Sequence, residues 1–334
     1  MLARVRFGLA ALALLHLAAL AAIFGLIAAG TAEGGWPAFL REMTPYLFSL
    51  VPFLLLAGLV LRARVALTLT LLPLALFVYL CGTNFVPKAP PTATGPGARV
   101  FTFNVGAARG LGQPESVVRA VRAADPDVAF IVEARGNSLD SVGATLTDAY
   151  PYQAGNGSVF VFSRLPLLDP RGDLLRSGAH DSLLVDVELD GRLVAFMGVH
   201  LRRTDTYPGL GRGVRPLVQV GRQYRTDRRD AAVAELTTIL RGIGGPRVLV
   251  GDFNMTAWSR SYEQVTADLR DSHLEAGWGF GHTYPTTLRP LGLSVPLLRI
   301  DYIFHTADLA TVRAWVGPDG GSDHLPIVAD LALR

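Results

Sequence analysis

Residues 247–254 read Arg-Val-Leu-Val-Gly-Asp-Phe-Asn, a short apolar run that ends in two polar side chains. A run of aliphatic and β-branched residues that closes on a glycine predicts a buried strand followed by a tight turn. A carboxylate at the end of a buried strand costs on the order of several kcal/mol unless a metal or another polar group pairs with it. We therefore expect Asp252 and Asn254 to belong to a polar site.

The same arrangement recurs through residues 100–334: a polar side chain lies at the end of, or inside, a strand that should be buried. The further positions are Asn104, Glu133, His200, Asp301, Asp323 and His324. Each alone has an ordinary explanation, such as a turn cap, a solvent-facing strand end or a hydrogen-bonded core histidine. Their shared placement favours one site over separate coincidences.

Short β-branched and aromatic runs alternate with amphipathic stretches in this region. Strands are predicted at residues 100–105, 128–134, 158–163, 183–189, 193–201, 248–252, 300–305, 311–316 and 327–333. Helices are predicted at residues 114–124, 138–149 and about 226–241. Many strands with fewer helices predict an α/β domain with its sheets inside and its helices outside.

The composition is unusually apolar, and the excess lies before residue 85. Half of the chain (50%) is hydrophobic, the net charge is only +3, and Cys81 is the single cysteine. One cysteine excludes an internal disulfide and a cysteine zinc cluster. Residues 8–30, 45–61 and 65–82 contain no Asp, Glu, Lys or Arg. Each can cross a hydrocarbon core, which takes roughly 17–25 residues, so residues 1–82 are predicted to form a three-helix transmembrane anchor.

The basic residues predict the orientation of this anchor. Arg4 and Arg6 precede the first stretch, and Arg62 and Arg64 separate the second from the third. Basic residues stay on the cytoplasmic side, so the N-terminus should be cytoplasmic and residues after 82 should lie outside the plasma membrane. A cleaved signal peptide is the alternative for the first stretch, although its apolar core exceeds the usual ~7–15 residues. Cleavage would still leave the large domain outside.

Residues 83–99 separate the anchor from residues 100–334, which are predicted to form the catalytic domain. The stretch contains Pro87, Pro90, Pro91 and Pro96 with two glycines. Such composition resists helix and sheet and acts as a semi-rigid linker. At about 3.1 Å per residue it reaches at most roughly 50 Å, so the domain should stay near the bilayer.

The motifs together resemble the endonuclease/exonuclease/phosphatase superfamily, which includes deoxyribonuclease I, abasic-site endonucleases, inositol polyphosphate 5-phosphatases and neutral sphingomyelinases. The resemblance covers residues 100–334 and rests on Phe103-Asn104-Val105, Val132-Glu133, Gly198-Val199-His200-Leu201, Gly251-Asp252-Phe253-Asn254, Arg299-Ile300-Asp301-Tyr302 and Ser322-Asp323-His324. The last three are the specific motifs. Many members carry Gln where Val132 stands here, which does not affect the chemistry. The resemblance implies a DNase I-like, four-layered α/β sandwich with its site at the strand ends.

Metal-dependent hydrolysis of a phosphoric ester or anhydride is the chemistry that the resemblance implies. Glu133, with help from Asn104 and Asp323, would bind a divalent cation. Mg²⁺ prefers oxygen ligands and usually takes one or two carboxylates together with substrate phosphate. We therefore predict Mg²⁺, with Mn²⁺ as the alternative.

The catalytic groups are predicted from the resemblance and from the chemistry of their side chains. Asp252 would orient or deprotonate the attacking water, and Asn254 would hold phosphate oxygens. His324 would lie beside the phosphate, oriented by Asp301. His200 would be a second general acid or a phosphate ligand. Which histidine protonates the leaving group stays open.

Arginines are concentrated between His200 and Asp230. They are Arg202, Arg203, Arg212, Arg215, Arg222, Arg225, Arg228 and Arg229. Some should form an ordinary solvated surface. Because the segment follows His200 directly, we predict that Arg202, Arg203, Arg222 and Arg225 contact substrate phosphate or lipid headgroups.

The substrate has two candidate classes. A basic segment suits a nucleic-acid backbone, and nuclease activity is the commonest chemistry in the resembled superfamily. The anchor favours a membrane substrate instead, an architecture that resembles VanJ-type proteins linked to teicoplanin resistance and to undecaprenyl pyrophosphate. We predict a phosphoesterase or pyrophosphatase acting on a lipid-linked (polyprenyl) pyrophosphate or a phospholipid. The alternatives are an extracytoplasmic nuclease and a non-catalytic receptor or scaffold, which would not need so many polar strand ends.

Overall fold

The computed structural model of the chain describes residues 1–30, 34–89, 91, 93, 95–106, 113–134, 137–177, 181–203, 223–286 and 295–334, with backbone only at 137–139. These residues form two compact units. The first comprises Met1–Val86 and Arg215–Thr226, and the second comprises Pro87–Val214 and Asp227–Arg334.

Helices make up the first unit. They are α1 (Leu2–Ala29), α2 (Gly35–Glu42), α3 (Val51–Val60) and α4 (Arg64–Cys81), with 3-10 turns at Thr44–Phe48 and Gly82–Phe85. Within the described residues, two helices are long and apolar enough to cross a membrane, α1 and the stretch Arg64–Phe85. A third span exists only if Gly35–Glu42 and Thr44–Val60, bent by 75°, count as one.

The second predicted apolar stretch, residues 45–61, is therefore not one straight helix. It begins in a 3-10 turn, and only the ten residues of α3 are α-helical. Pro52 lies in the first turn of α3, where its missing N–H would have no helical partner. Arg6 Nε donates to Leu61 O at 2.7 Å, which ties the start of α1 to the α3–α4 turn.

The short segment before Asp227 packs on α2 of the same unit. Gly35 N donates to Tyr224 O at 2.6 Å, and Gly34 forms an antiparallel bridge with Arg225. Phe39 and Tyr224 meet edge to face with ring centroids 5.6 Å apart. A Cβ on Gly34 would lie 2.6 Å from Tyr224 O, so only glycine permits this approach.

Two mixed sheets form the centre of the second unit. Its strands are β1 (Gly97–Asn104), β2 (Val128–Val132), β3 (Tyr152–Asn156), β4 (Val159–Ser163), β5 (Leu167–Gly172), β6 (Asp181–Leu189), β7 (Arg192–His200), β8 (Arg247–Asp252), β9 (Arg270–Asp271), β10 (Asp301–His305), β11 (Leu309–Val316) and β12 (Ile327–Leu333). The first six-stranded sheet has the order β11-β12-β1-β2-β4-β3, and the second has the order β5-β6-β7-β8-β10-β9. The helices are α5 (Pro114–Ala124), α6 (Asn137–Leu146), α7 (Asp227–Arg241), α8 (Arg260–Thr266) and α9 (Ser272–Ala276).

Three apolar layers hold this unit together. Between the sheets, alternate residues of facing strands form one buried cluster, in which Phe130 and Phe196 stack with centroids 6.2 Å apart. Phe103 and its neighbours pack on α5 and α6, while Met197 and Phe304 pack on α7 and α8. The layers run helix, sheet, sheet, helix, which confirms the predicted four-layered α/β sandwich.

Several short elements were not predicted from the sequence. The strands β3 and β5 are largely exposed, so they lack a run of buried residues. The helices α8 and α9 have seven and five residues, too few to show a helical period. The last three residues predicted as linker already belong to β1, where backbone pairing with β12 overrides the local composition.

Candidate active site

Four polar side chains stand in one row across the second sheet. Asp181 pairs with His200 across β6 and β7, and His200 pairs with Asp252 across β7 and β8. Asp252 in turn pairs with Asp301 across β8 and β10. Directly opposed residues project from the same face of a sheet, about 4.5–5.5 Å apart. Strand register thus joins three predicted residues with Asp181, which the sequence analysis did not single out.

The first sheet contributes Asn104 and Glu133 to the site around His200 and Asp252. Asn104 ends β1 opposite Val132 of β2, and Glu133 follows immediately with φ of 56°. A left-handed conformation costs a residue other than glycine on the order of 1–3 kcal/mol and persists only where the surrounding structure holds it. The second such residue in the site is Asn254, with φ of 48°.

Asp252 is buried at the centre of a hydrogen-bond network. Its Oδ2 accepts from Asn104 Nδ2 at 2.8 Å and from Asn254 Nδ2 at 3.1 Å. Its Oδ1 accepts from the backbone N–H of Asn254 at 2.8 Å. Burial, followed by the negative charge of Asp301, raises the pKa of Asp252. This carboxyl is therefore a better proton acceptor than an exposed aspartate.

The predicted pair of Asp301 and His324 is present. Asp301 Oδ2 accepts from His324 Nδ1 at 2.9 Å and from Thr283 Oγ1 at 2.6 Å. A carboxylate can only accept, so the Nδ1 of His324 carries a proton and Nε2 faces Asp252 Oδ2 at 4.0 Å. Burial favours the neutral ring, but the charge and hydrogen bond of Asp301 prevail and raise the pKa of His324.

Glu133 lies against His200. Glu133 Oε1 is 3.2 Å from His200 Nε2, which is itself 3.9 Å from Asp252 Oδ2. Burial alone would favour the neutral acid, but the hydrogen bond and charge of His200, and then the Asn104 amide, lower the pKa of Glu133 to about 2. Glu133 is therefore ionised at neutral pH and able to bind a cation.

A model of the endonuclease/exonuclease/phosphatase family matches residues 101–324 of this chain. The chain belongs to this family. Its members hydrolyse phosphoester bonds, so a phosphoester hydrolase is the general class of the domain. No curated protein sequence matches the chain significantly.

Solved structures of other family members share the fold at low identity. An endonuclease/exonuclease/phosphatase protein of Bacteroides vulgatus is 18% identical with a TM-score of 0.56, over 71% of this chain and 99% of that one. Sphingomyelinase C from Streptomyces griseocarneus is 19% identical with a TM-score of 0.50, over 70% and 99%. D. rerio TDP2, complexed with a single-strand DNA product, is 15% identical with a TM-score of 0.55, over 70% and 98%.

The residues of this family member fit a divalent cation. Ligand atoms of Glu133, His200 and Asp252 lie within 4.8 Å of one another, as do those of Asp252, Asp301 and His324. Asp301 Oδ1 is buried without a hydrogen-bond partner among the described residues. Carboxylates and imidazoles are suitable ligands for divalent cations.

The three predicted metal ligands differ in their surroundings. Glu133 belongs to one of these groups, and Asn104 hydrogen-bonds Asp252. Asp323 is half-buried and belongs to neither group of possible ligands. The turn Ser322–His324 that carries it is fixed by hydrogen bonds of its first residue. Ser322 Oγ donates to Asn104 O at 2.7 Å and accepts from His324 N at 3.2 Å. This bracing role of Ser322 was not predicted.

The four predicted arginines lie in different places. Arg203 Nη2 donates to Tyr284 OH at 3.0 Å, and the Tyr284 ring packs against His324 with centroids 4.7 Å apart. Arg202 is exposed, and Arg222 lies outside the described residues. Arg225 belongs to the first unit, where its backbone forms a β-bridge with Gly34. Of the three described, the structure brings Arg203 to the site's edge.

Arg229 differs from the solvated or headgroup-facing arginine that its segment suggested. It is 2% exposed, and Nη1 donates to Asn254 O at 2.6 Å. The helical spacing could have predicted this burial, because Arg229 lies on the same face of α7 as the buried Val233 and Leu236. Arg229 therefore supports the turn that carries Asn254.

Proposed function

We propose that this protein is a membrane-anchored, divalent-metal-dependent phosphoesterase or pyrophosphatase that acts outside the cytoplasm on a lipid-linked phosphate. The proposal is carried by the Asp252, His324 and Glu133 constellation, in a chain that also has helices apolar enough to cross a membrane. A binding module would not need two oriented histidines around a buried carboxylate.

A cation held by Glu133, with Asn104 and Asp323 beside it, would polarise a phosphoryl oxygen and favour attack by water. Asp252, whose pKa is raised by burial, orients that water and accepts its proton. Both amide hydrogens of Asn254 are used, on Asp252 Oδ2 and on Leu201 O at 2.9 Å. Asn254 therefore positions Asp252.

The two histidines complete the proposed reaction. His324 keeps its Nδ1 proton on Asp301, so only Nε2 exchanges a proton with the substrate. The gap of 4.0 Å between that Nε2 and Asp252 Oδ2 is longer than a hydrogen bond, which leaves the two groups to act on separate atoms. A protonated His200 or His324 donates to a leaving oxygen.

A lipid-linked substrate is favoured by the N-terminal helices. If these helices lie in a bilayer, the residues that follow are confined to its surface by a linker of about 30 Å, because only residues 87–96 connect the first unit to β1. Such confinement raises the effective concentration of a membrane substrate and does little for DNA. A nuclease is the second candidate, because Arg203 on Tyr284 at the site's edge could contact a nucleic-acid backbone.

We expect the full chain, reconstituted in vesicles, to hydrolyse polyprenyl pyrophosphate in the same vesicles at least ~10²-fold faster than supercoiled DNA in solution, the lower end of the gain expected from tethering. Phosphate release and plasmid nicking, per mole of enzyme, measure the two rates. Vesicles carrying the Asp252→Asn variant control for contaminating phosphatases. A higher rate on DNA would replace the lipid proposal by the nuclease.

The proposed orientation makes a separate prediction. Arg4, Arg6, Arg62 and Arg64 should be retained in the cytoplasm. An alkaline phosphatase fused after Arg334, which is active only outside, should then be active, and a fluorescent reporter that folds only inside should be dark. The reverse pattern would exclude a substrate on the outer surface.

Glu133→Gln should raise the half-saturating concentration of Mg²⁺ or Mn²⁺ by at least ~10-fold, because the amide keeps the size of the side chain and removes its charge. Activity against metal concentration measures this effect. Glu115→Gln, on the exposed face of α5, is the matched control. Equal metal dependence in wild type and Glu133→Gln would assign the cation to other ligands.

A further inference from the structure

Two side chains beside His200 have no part in the reaction proposed above. Ser158 is fully buried, and its hydroxyl donates to Asp181 Oδ2 in a very short hydrogen bond. The backbone N–H of Ser158 donates to the same oxygen at 2.9 Å. Asp181 stands directly across from His200 in the β6–β7 ladder. The three residues therefore form a continuous chain of polar groups.

The directions of these hydrogen bonds decide where the proton of His200 lies. The Ser158 hydroxyl has one hydrogen, and Asp181, a carboxylate, can only accept it. Ser158 Oγ is then left as an acceptor for His200 Nδ1, which lies 3.3 Å away. His200 Nδ1 therefore carries a proton for Ser158 Oγ. The Glu133 carboxylate, 3.2 Å from Nε2, also only accepts, so Nε2 is left for the substrate when Glu133 holds a cation instead.

The hairpin between β3 and β4 is shaped to admit the Asp181 carboxylate. Gly157 at its tip has φ of +60°, and a Cβ there would lie 2.6 Å from Asp181 Oδ1. Any other residue would be strained and would also displace the carboxylate. Asn156 Nδ2 donates to Ser182 O at 3.2 Å, which pins the hairpin onto β6. The contact between Ser158 and Asp181 is thus built into the backbone.

We propose that Asp181 and Ser158 form a positioning relay that holds the Nδ1 proton of His200 and presents Nε2 to the reacting phosphate. This relay rests on the proposed phosphoesterase function and extends it. Asp301 serves His324 in the same way, directly. As a result, the Nε2 atoms of His200 and His324 flank one oxygen, Asp252 Oδ2, at 3.9 and 4.0 Å.

Asp181→Ala tests the relay because it removes the carboxylate that accepts the Ser158 hydroxyl hydrogen, whereas an amide would keep its oxygen on the Ser158 N–H and go on accepting. Without that acceptor, the Ser158 hydroxyl can turn to donate to His200 Nδ1, and the ring proton then moves to Nε2. We expect kcat/KM to fall by about 10–100-fold, as for other residues that orient a functional histidine. Ser158→Ala should cause a similar loss, and the double variant should be no worse than either single variant.

The assay uses the full chain in lipid nanodiscs, with bis(p-nitrophenyl) phosphate and MnCl₂ as the probe. Asp186→Ala is the matched control, because Asp186 lies on the same strand but contacts Arg171, at 3.6 Å. Nitrogen-15 NMR of histidine-labelled protein in MgCl₂ at alkaline pH reports the tautomer of His200, whose signals are assigned from their loss in His200→Gln. We expect the Nδ1–H form in wild type and in Asp186→Ala, and the Nε2–H form in Asp181→Ala.

Activity within about 2-fold of wild type in Asp181→Ala and Ser158→Ala, with an unchanged tautomer, would overturn the relay while leaving the phosphoesterase intact. A wild type inactive on every phosphate ester would overturn the proposed function, whereas the NMR spectra would still decide the relay. If thermal unfolding shows that one of the two alanine variants does not fold, the other variant decides.

Discussion

Asp252→Asn and His324→Ala should each lower kcat/KM on the order of 10³–10⁶-fold, since groups that act as one catalytic unit lose nearly everything when one is removed. In the proposed reaction, Asp252 accepts the proton of the attacking water, and His324 Nε2 exchanges a proton with the substrate. The double variant should be scarcely worse than either single variant. Initial rates on bis(p-nitrophenyl) phosphate measure the loss.

The fold should survive the change at Asp252, which separates catalysis from stability. Burial and Asp301 raise the pKa of this carboxyl, so its ionised form destabilises the folded state at pH above the unfolded pKa. Asp252→Asn should therefore unfold at the same or a higher temperature than wild type at neutral pH. Asp268→Asn, at a partly exposed ion pair with Arg241, is the control. Near-normal turnover in Asp252→Asn would refute its role as the base.

Asp301→Asn should lower kcat/KM by about 10³–10⁴-fold through the ring of His324. The amide that replaces the carboxylate can donate to Nδ1 only when that nitrogen is unprotonated, so the protonated ring that donates to the leaving oxygen is no longer stabilised. Thr283→Val removes the hydroxyl that donates to Asp301 Oδ2 at 2.6 Å, but leaves the carboxylate, and should cost far less.

Asp308→Asn, at an exposed turn after β10, controls for loss of an aspartate as such. kcat/KM and the unfolding temperature are measured for all three variants. If Asp301→Asn stays within about 10-fold of wild type, His324 does not depend on Asp301 for its protonation, and the assigned pairing is wrong.

Local pattern was sufficient for much of the fold. Strands β1, β8 and β12 are runs of apolar residues that cannot remain in water, and their burial follows from composition alone. The same pattern marked Asp252, Asn254 and His324, because a polar group that ends such a run must find a partner. Family membership followed from these motifs.

Partners far apart in the chain could be identified only from the tertiary structure. Strand register and the turn at Gly157 bring Asp181, Ser158 and His200 together. Neither the register nor the turn can be predicted from the hydrophobic periodicity of the local sequence. From the sequence, Arg229 resembled a surface charge. In the structure, the packing of α7 buries it, and its guanidinium donates to the backbone carbonyl of Asn254. Local composition determines which residues must be buried, whereas the geometry of the assembled sheets decides which polar groups they meet and which proton each one holds.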